Sequence, residues 1–131
     1  MRSKLAILVA VAASTLSAHH AFTSEFDGNQ PVKLTGVVTK MEWINPHAWI
    51  HVDAKDESGK VVSWMIECGS PNTLLRRGMT KASVTAGMEI VVEGYRSKDG
   101  SNKANGRDVT FTDGRKLFLG SSGTGAPYEK K

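Results

Sequence analysis

Residues Pro31 to Trp43 carry an alternation that suits a β-sheet and little else. Val32, Leu34 and Val38 interleave with Lys33, Thr35 and Thr39, and Gly36 lies in the middle of the run. A strand of that length, with a glycine available for a bend or bulge, fits the first strand of a small barrel, which must pair at both ends. Asn45-Pro46 then turns the chain. His47 to Ala54 reads as a second strand, with Ala48, Ile50 and Val52 on one face and His47, Trp49, His51 and Asp53 on the other. Asp56 to Lys60 supplies a hairpin turn, and Val61 to Cys68 returns as a third strand. Cys68 shares the parity of Val62, Trp64 and Ile66 and is therefore expected to be buried.

After this meander the pattern changes. Ser70 can cap a helix, Pro71 suits its first position and Gly78 is placed to end it, so a helix of about two turns is expected. Arg76 and Arg77 fit the C-terminal end of its dipole better than they fit an anion site. Met88 to Arg96 reads as a fourth strand, Ser97 to Gly106 as a polar loop, and Arg107 to Thr112 as a fifth strand. Asp113-Gly114 is a hairpin signal that returns Arg115 to Leu119 as a short sixth strand. The Gly/Ser-rich tail over 120–131 lacks apolar mass and is expected to be disordered. Three strands, one helix, then further strands is the element order of an OB-fold. The predicted class is all-β: a small OB-fold-like antiparallel barrel of five to six strands over residues 31–119, with one short helix after strand three.

The N-terminus has a different character. Arg2 and Lys4 precede an apolar run from Leu5 to Ala13 and a small-residue stretch ending at Ser17-Ala18. That is the three-part pattern of a signal peptide over residues 1–18, too short to span a bilayer, and it implies a periplasmic or secreted protein. Its removal leaves about 110 residues, enough for one modest core, preceded by an arm over 19–30. It also takes the 17 basic residues to 15 against 13 acidic ones, so the net charge falls from +4 to +2. With no run of basic residues, that charge argues against nucleic acid as a partner, and no membrane span is expected after cleavage.

Several stretches carry a family resemblance. They are His19-His20-Ala21-Phe22 with Glu25-Phe26-Asp27, then Glu42-Trp43-Ile44-Asn45-Pro46-His47-Ala48-Trp49-Ile50, then the segment from Gly69 to Gly78, and finally Val92-Glu93-Gly94-Tyr95 with Asp113-Gly114-Arg115-Lys116-Leu117. Through them nearly all of the chain after residue 18 resembles the small exported bacterial proteins grouped as the DUF6152 domain of unknown function. The resemblance implies export and a small β-domain, and it carries over no catalytic residue.

The candidate chemistry centres on histidine. Cleavage after Ala18 makes His19 the first residue, whose free amine and imidazole form a bidentate nitrogen chelate suited to Cu(II). Cleavage after Ser17 instead places His20 third, where it can bind Cu(II) or Ni(II) together with backbone amides. His47, next to the Asn-Pro turn, is the candidate third ligand. His51 lies four strand residues further on, about 13 Å away, so the two cannot share one ion. The metal set is therefore His19, His20 and His47, with copper as the expected cofactor. The alternative set is Trp49, His51 and Asp53, an outward face that can hold an oligosaccharide, a peptide or a protein. An exported redox protein is a third kind of partner. No nucleophile motif, Cys-x-x-Cys, phosphate loop or haem signature is present, so a non-catalytic binding protein is expected rather than an enzyme.

Overall fold

A computed structural model describes residues 21–120 and 126–129 of the chain. A short helix α1 (Ala21–Glu25) leads directly into β1 (Phe26–Glu42), followed by β2 (Trp49–Lys55) and β3 (Val61–Glu67). Helix α2 (Pro71–Arg76) comes next, then β4 (Glu89–Ser97), β5 (Lys103–Phe111), β6 (Lys116–Phe118) and a 3-10 turn (Pro127–Glu129). The strands run in the order β3-β2-β1-β4-β5-β6, and β3 also pairs with β5. That extra pairing closes five strands into a barrel-like ring with OB-fold-like strand order, the single helix α2 following the third strand. The sheet is antiparallel except at the closure, where Met65, Ile66 and Glu67 run parallel to Lys103, Ala104 and Asn105.

β1 serves two neighbours because it is long. Its first part pairs with β4 through Val37↔Glu89, and its second part pairs with β2 from Gly36↔Ala54 onward. The changeover falls at Gly36, where a Cβ would stand 2.7 Å from Val52 Cγ1 and closer still to the Asp53 carbonyl oxygen. Gly94 does the same for β4, at a register shift in its pairing with β5, where a Cβ would overlap the Asn105 carbonyl oxygen. Both glycines let neighbouring backbones approach more closely than any side chain allows, and this is what coils a short sheet into a ring.

Inside the ring, Val38, Ile50, Val52, Trp64, Ile66, Val92 and Val109 make the core, with Leu74 of α2 and Met79 plugging it. The inward parity of β2 and β3 holds, and Cys68 is 1% exposed. Ser70 caps α2 by accepting the Thr73 amide, Pro71 opens it, and Gly78 follows it at φ 91°. Arg77 donates to the Gly120 carbonyl and lies over the Phe118 ring at 4.4 Å, a structural role.

Three boundaries differ from the sequence reading. β1 begins at Phe26 instead of Pro31, because Phe26 is buried against Phe22, Tyr95 and Ala126 in a second, smaller core. Residues Lys103 to Gly106, expected to lie in a loop, form the first part of β5, since β4 and β3 both offer them backbone partners. The tail is structured over 126–129: Tyr128 stacks on Tyr95, meets Phe118 edge-on, and donates to Asn105 Oδ1 at 2.9 Å. One aromatic side chain outweighs the surrounding Gly/Ser composition there.

Candidate functional site

The site follows from how the first strands meet. Asn45-Pro46, a cis peptide, lies between β1 and β2, and His47 lies just before β2. The ladder between β2 and β3 continues past the strands: Ala48 N donates to Gly69 O, and Cys68 N to Ala48 O. This brings the His47 ring over the end of β3, where its Nδ1 lies 3.0 Å from Cys68 O. A carbonyl only accepts, so Nδ1 is the donor in this contact. A histidine oriented by a backbone carbonyl through one nitrogen, with the other as donor atom, is the usual arrangement for a metal ligand.

Beside His47 lies Glu67, whose Oε1 is 3.9 Å from Nδ1. Burial raises the Glu67 carboxyl above its ordinary range; His47 and Lys103 pull it back down, and Glu25 pushes it further up. Glu25 is the last residue of α1, so the N-terminal helix ends within electrostatic reach of the carboxylate that neighbours His47. Helix α1 is held there by several contacts. Phe22 packs on Phe26 and edge-on to Tyr95 at 5.7 Å, Lys98 N donates to Glu25 O at 2.8 Å, and Lys103 Nζ lies 3.7 Å from Glu25.

The raised Glu67 carboxyl has a consequence for stability. Its native form holds a proton over a pH range where the unfolded form has lost it, so its contribution falls as pH rises through 4.5 towards the folded value and stays low above it. Glu67→Gln is therefore expected to raise the melting temperature at pH 7, with the gain over the native protein vanishing below about pH 4. Melting curves of both proteins across that range test this. A gain independent of pH would locate its cause elsewhere.

Of the metal set, His47 occupies the position just described, whereas His19 and His20 lie outside the described residues. Among the described residues no group of three or more His, Cys, Asp or Glu side chains is placed to hold a metal ion. The alternative set is only partly brought together. Trp49, His51 and Asp53 share the outer face of β2, but they serve different neighbours. Trp49 pairs across from Glu67, His51 from Met65 and Asp53 from Ser63, whose hydroxyl donates to Asp53 Oδ1 at 2.7 Å. Asp53 lines an open groove of about 830 Å³ together with Lys33, Lys55, Val37, Glu89 and Thr110. Neither Trp49 nor His51 lines it. Trp64 is buried and Trp43 packs against the core, so the tryptophans form no common platform. Asp53 and Glu67 are four strand residues apart on neighbouring strands and make no acid/base pair.

Sequence reasoning missed the convergence of Glu25, Glu67 and Lys103. The one signal available was Glu67's outward parity beside Trp49 and His47.

A family model described as a family of unknown function, DUF6152, matches residues 6–106. The chain belongs to the DUF6152 family. The match takes in the stretches around His47 and α2 but ends within β5 of this DUF6152 protein. No curated protein and no solved structure matches the chain.

Proposed function

We propose that this DUF6152 protein is an exported, non-catalytic copper-binding module. In this reading the first 18 residues are a signal peptide, and the new N-terminus with His19 or His20 supplies a nitrogen chelate that His47 completes. The observation that carries the reading is the position of α1. The helix begins at Ala21, one residue after His20, is clamped by Phe22 and Lys98, and ends within electrostatic reach of Glu67, which also neighbours His47. Four helical residues advance only about 6 Å, so Ala21 lies that far along the helix from Glu25. The Nδ1 contact of His47 with Cys68 O fixes the orientation of the ring, and Glu67 adds negative charge that favours a cation.

The test uses the exported protein, with its N-terminal residue established by mass spectrometry. Native protein is expected to bind Cu(II) at one equivalent, at least about a hundredfold tighter than a His19→Ala, His20→Ala double variant, since both imidazole donors are lost. Equal affinity would end the proposal.

A second reading is favoured by the groove beside Asp53, which has two lysines, two carboxylates and an apolar floor at Val37 and suits a small polar ligand or peptide. A tryptophan fluorescence change with glycans or peptides and none with copper would select it.

A further inference from the structure

We propose that the outer face of the sheet holds a second copper site, for Cu(I), built from His51 and Met65 with the Glu42 carboxylate beside them. The inference rests on the copper reading for the metal, and adds an oxidation state and a location about 13 Å along β2 from His47.

The pairing pattern brings the two donors together. His51 and Met65 are direct cross-strand partners. Cys68 N donates across to Ala48 O, which makes that pair hydrogen-bonded, and antiparallel pairs alternate from there. Met65 accordingly turns its amide away from β2, donating to Asn102 O at 3.1 Å. The His51/Met65 pair is thus of the non-hydrogen-bonded kind, in which Cα atoms approach to about 4.5 Å and side chains lie closest.

Both side chains are unusual for their positions. Among the described residues His51 Nε2 is shielded from solvent and has no partner at ordinary hydrogen-bond distance, the Glu42 carboxylate being its charged neighbour. It lies 3.6 Å from Glu42 Oε1. Met65 is 40% exposed on the outer face of β3, with Ser63 and Glu67 on its own strand and Lys103 opposite it on β5, so its thioether is not serving the core. Thioether sulfur and imidazole nitrogen are a donor pair suited to Cu(I) and poorly suited to hard cations. The Glu42 carboxylate, 2.7 Å from Lys40 Nζ, lies beside this pair and can offset the charge of the ion. Entry is through Met65, whose flexible side chain is the exposed member of the pair.

The experiment uses the mature protein with copper kept reduced by ascorbate, in competition with a chromogenic Cu(I) chelator. Ag(I) serves as a redox-silent probe for NMR of methionine methyl groups. The expected result is one Cu(I) per chain, a shifted Met65 methyl signal with Ag(I), and at least about tenfold weaker Cu(I) binding in His51→Ala and in Met65→Leu. Both variants are expected to keep native Cu(II) affinity, and the His19→Ala, His20→Ala variant is expected to keep Cu(I). If both single variants hold Cu(I) as tightly as native protein, or native protein holds none, the His51/Met65 site is overturned while Cu(II) binding still stands. Loss of Cu(II) binding alone would sink the N-terminal reading and leave this site intact.

Discussion

Gly36→Ala is expected to cost about 3 kcal/mol or more, the upper part of the range for forcing extra volume into a packed interior. For a domain of this size, that lowers the melting temperature by roughly 12 to 24 °C. The added methyl would meet Val52 Cγ1 at 2.7 Å and the Asp53 carbonyl carbon at 2.9 Å. Two of these atoms matter differently: the valine methyl can rotate away, but the carbonyl belongs to the β2 backbone and cannot move without opening the β1/β2 ladder. That ladder is where β1 leaves β4 for β2, so opening it loosens ring closure as a whole. Gly94→Ala meets the same obstacle at Asn105 and Gly106. Thr35→Ala, one residue away on the exposed face, is the control and is expected to shift the melting temperature by no more than a few degrees. Thermal denaturation of the three variants decides the matter. A Gly36→Ala protein as stable as native would mean that the ring does not depend on that close approach.

The same position shows what the sequence could disclose. Gly36 in an alternating run signals a bend, and Val62, Trp64, Ile66 and Cys68 signal one buried face, because strand parity is local and survives in the finished fold. Ser70, Pro71 and Gly78 mark α2 for the same reason. The closing edge was not legible. Lys103 and Asn105 look like loop residues, and only the pairing with β3 and β4 makes them strand. Tyr128 likewise depends on partners at Tyr95 and Asn105, far away along the chain. The candidate site belongs to this second kind. His47 could be singled out by its place after Asn-Pro, but its neighbours Glu67 and Glu25 arrive from different elements, and no local pattern announces that meeting. Parity did place His51 and Met65 on outward faces; the register that sets them opposite each other is a property of the folded sheet.

Phe22→Ala is expected to lower Cu(II) affinity about as much as His47→Ala, roughly 10- to 100-fold, although Phe22 can touch no metal. Phe22 is 3% exposed and anchors α1 through Phe26 and Tyr95. Truncating a buried phenylalanine costs about 3 to 5 kcal/mol, more than a helix of one turn gains from its remaining contacts. The loss falls on the smaller core of Phe22, Phe26, Tyr95 and Ala126, separate from the core inside the ring. The ring should therefore stay folded while the N-terminal helix opens locally. An undocked helix no longer holds the N-terminal chelate near His47, so the third donor is lost even though its side chain is intact. The two substitutions should then be non-additive: the Phe22→Ala, His47→Ala double variant is expected to bind Cu(II) no more weakly than either single one. Additive losses would mean that His47 and the docked helix serve different ends, and that copper, if bound, is held by the N-terminal residues alone.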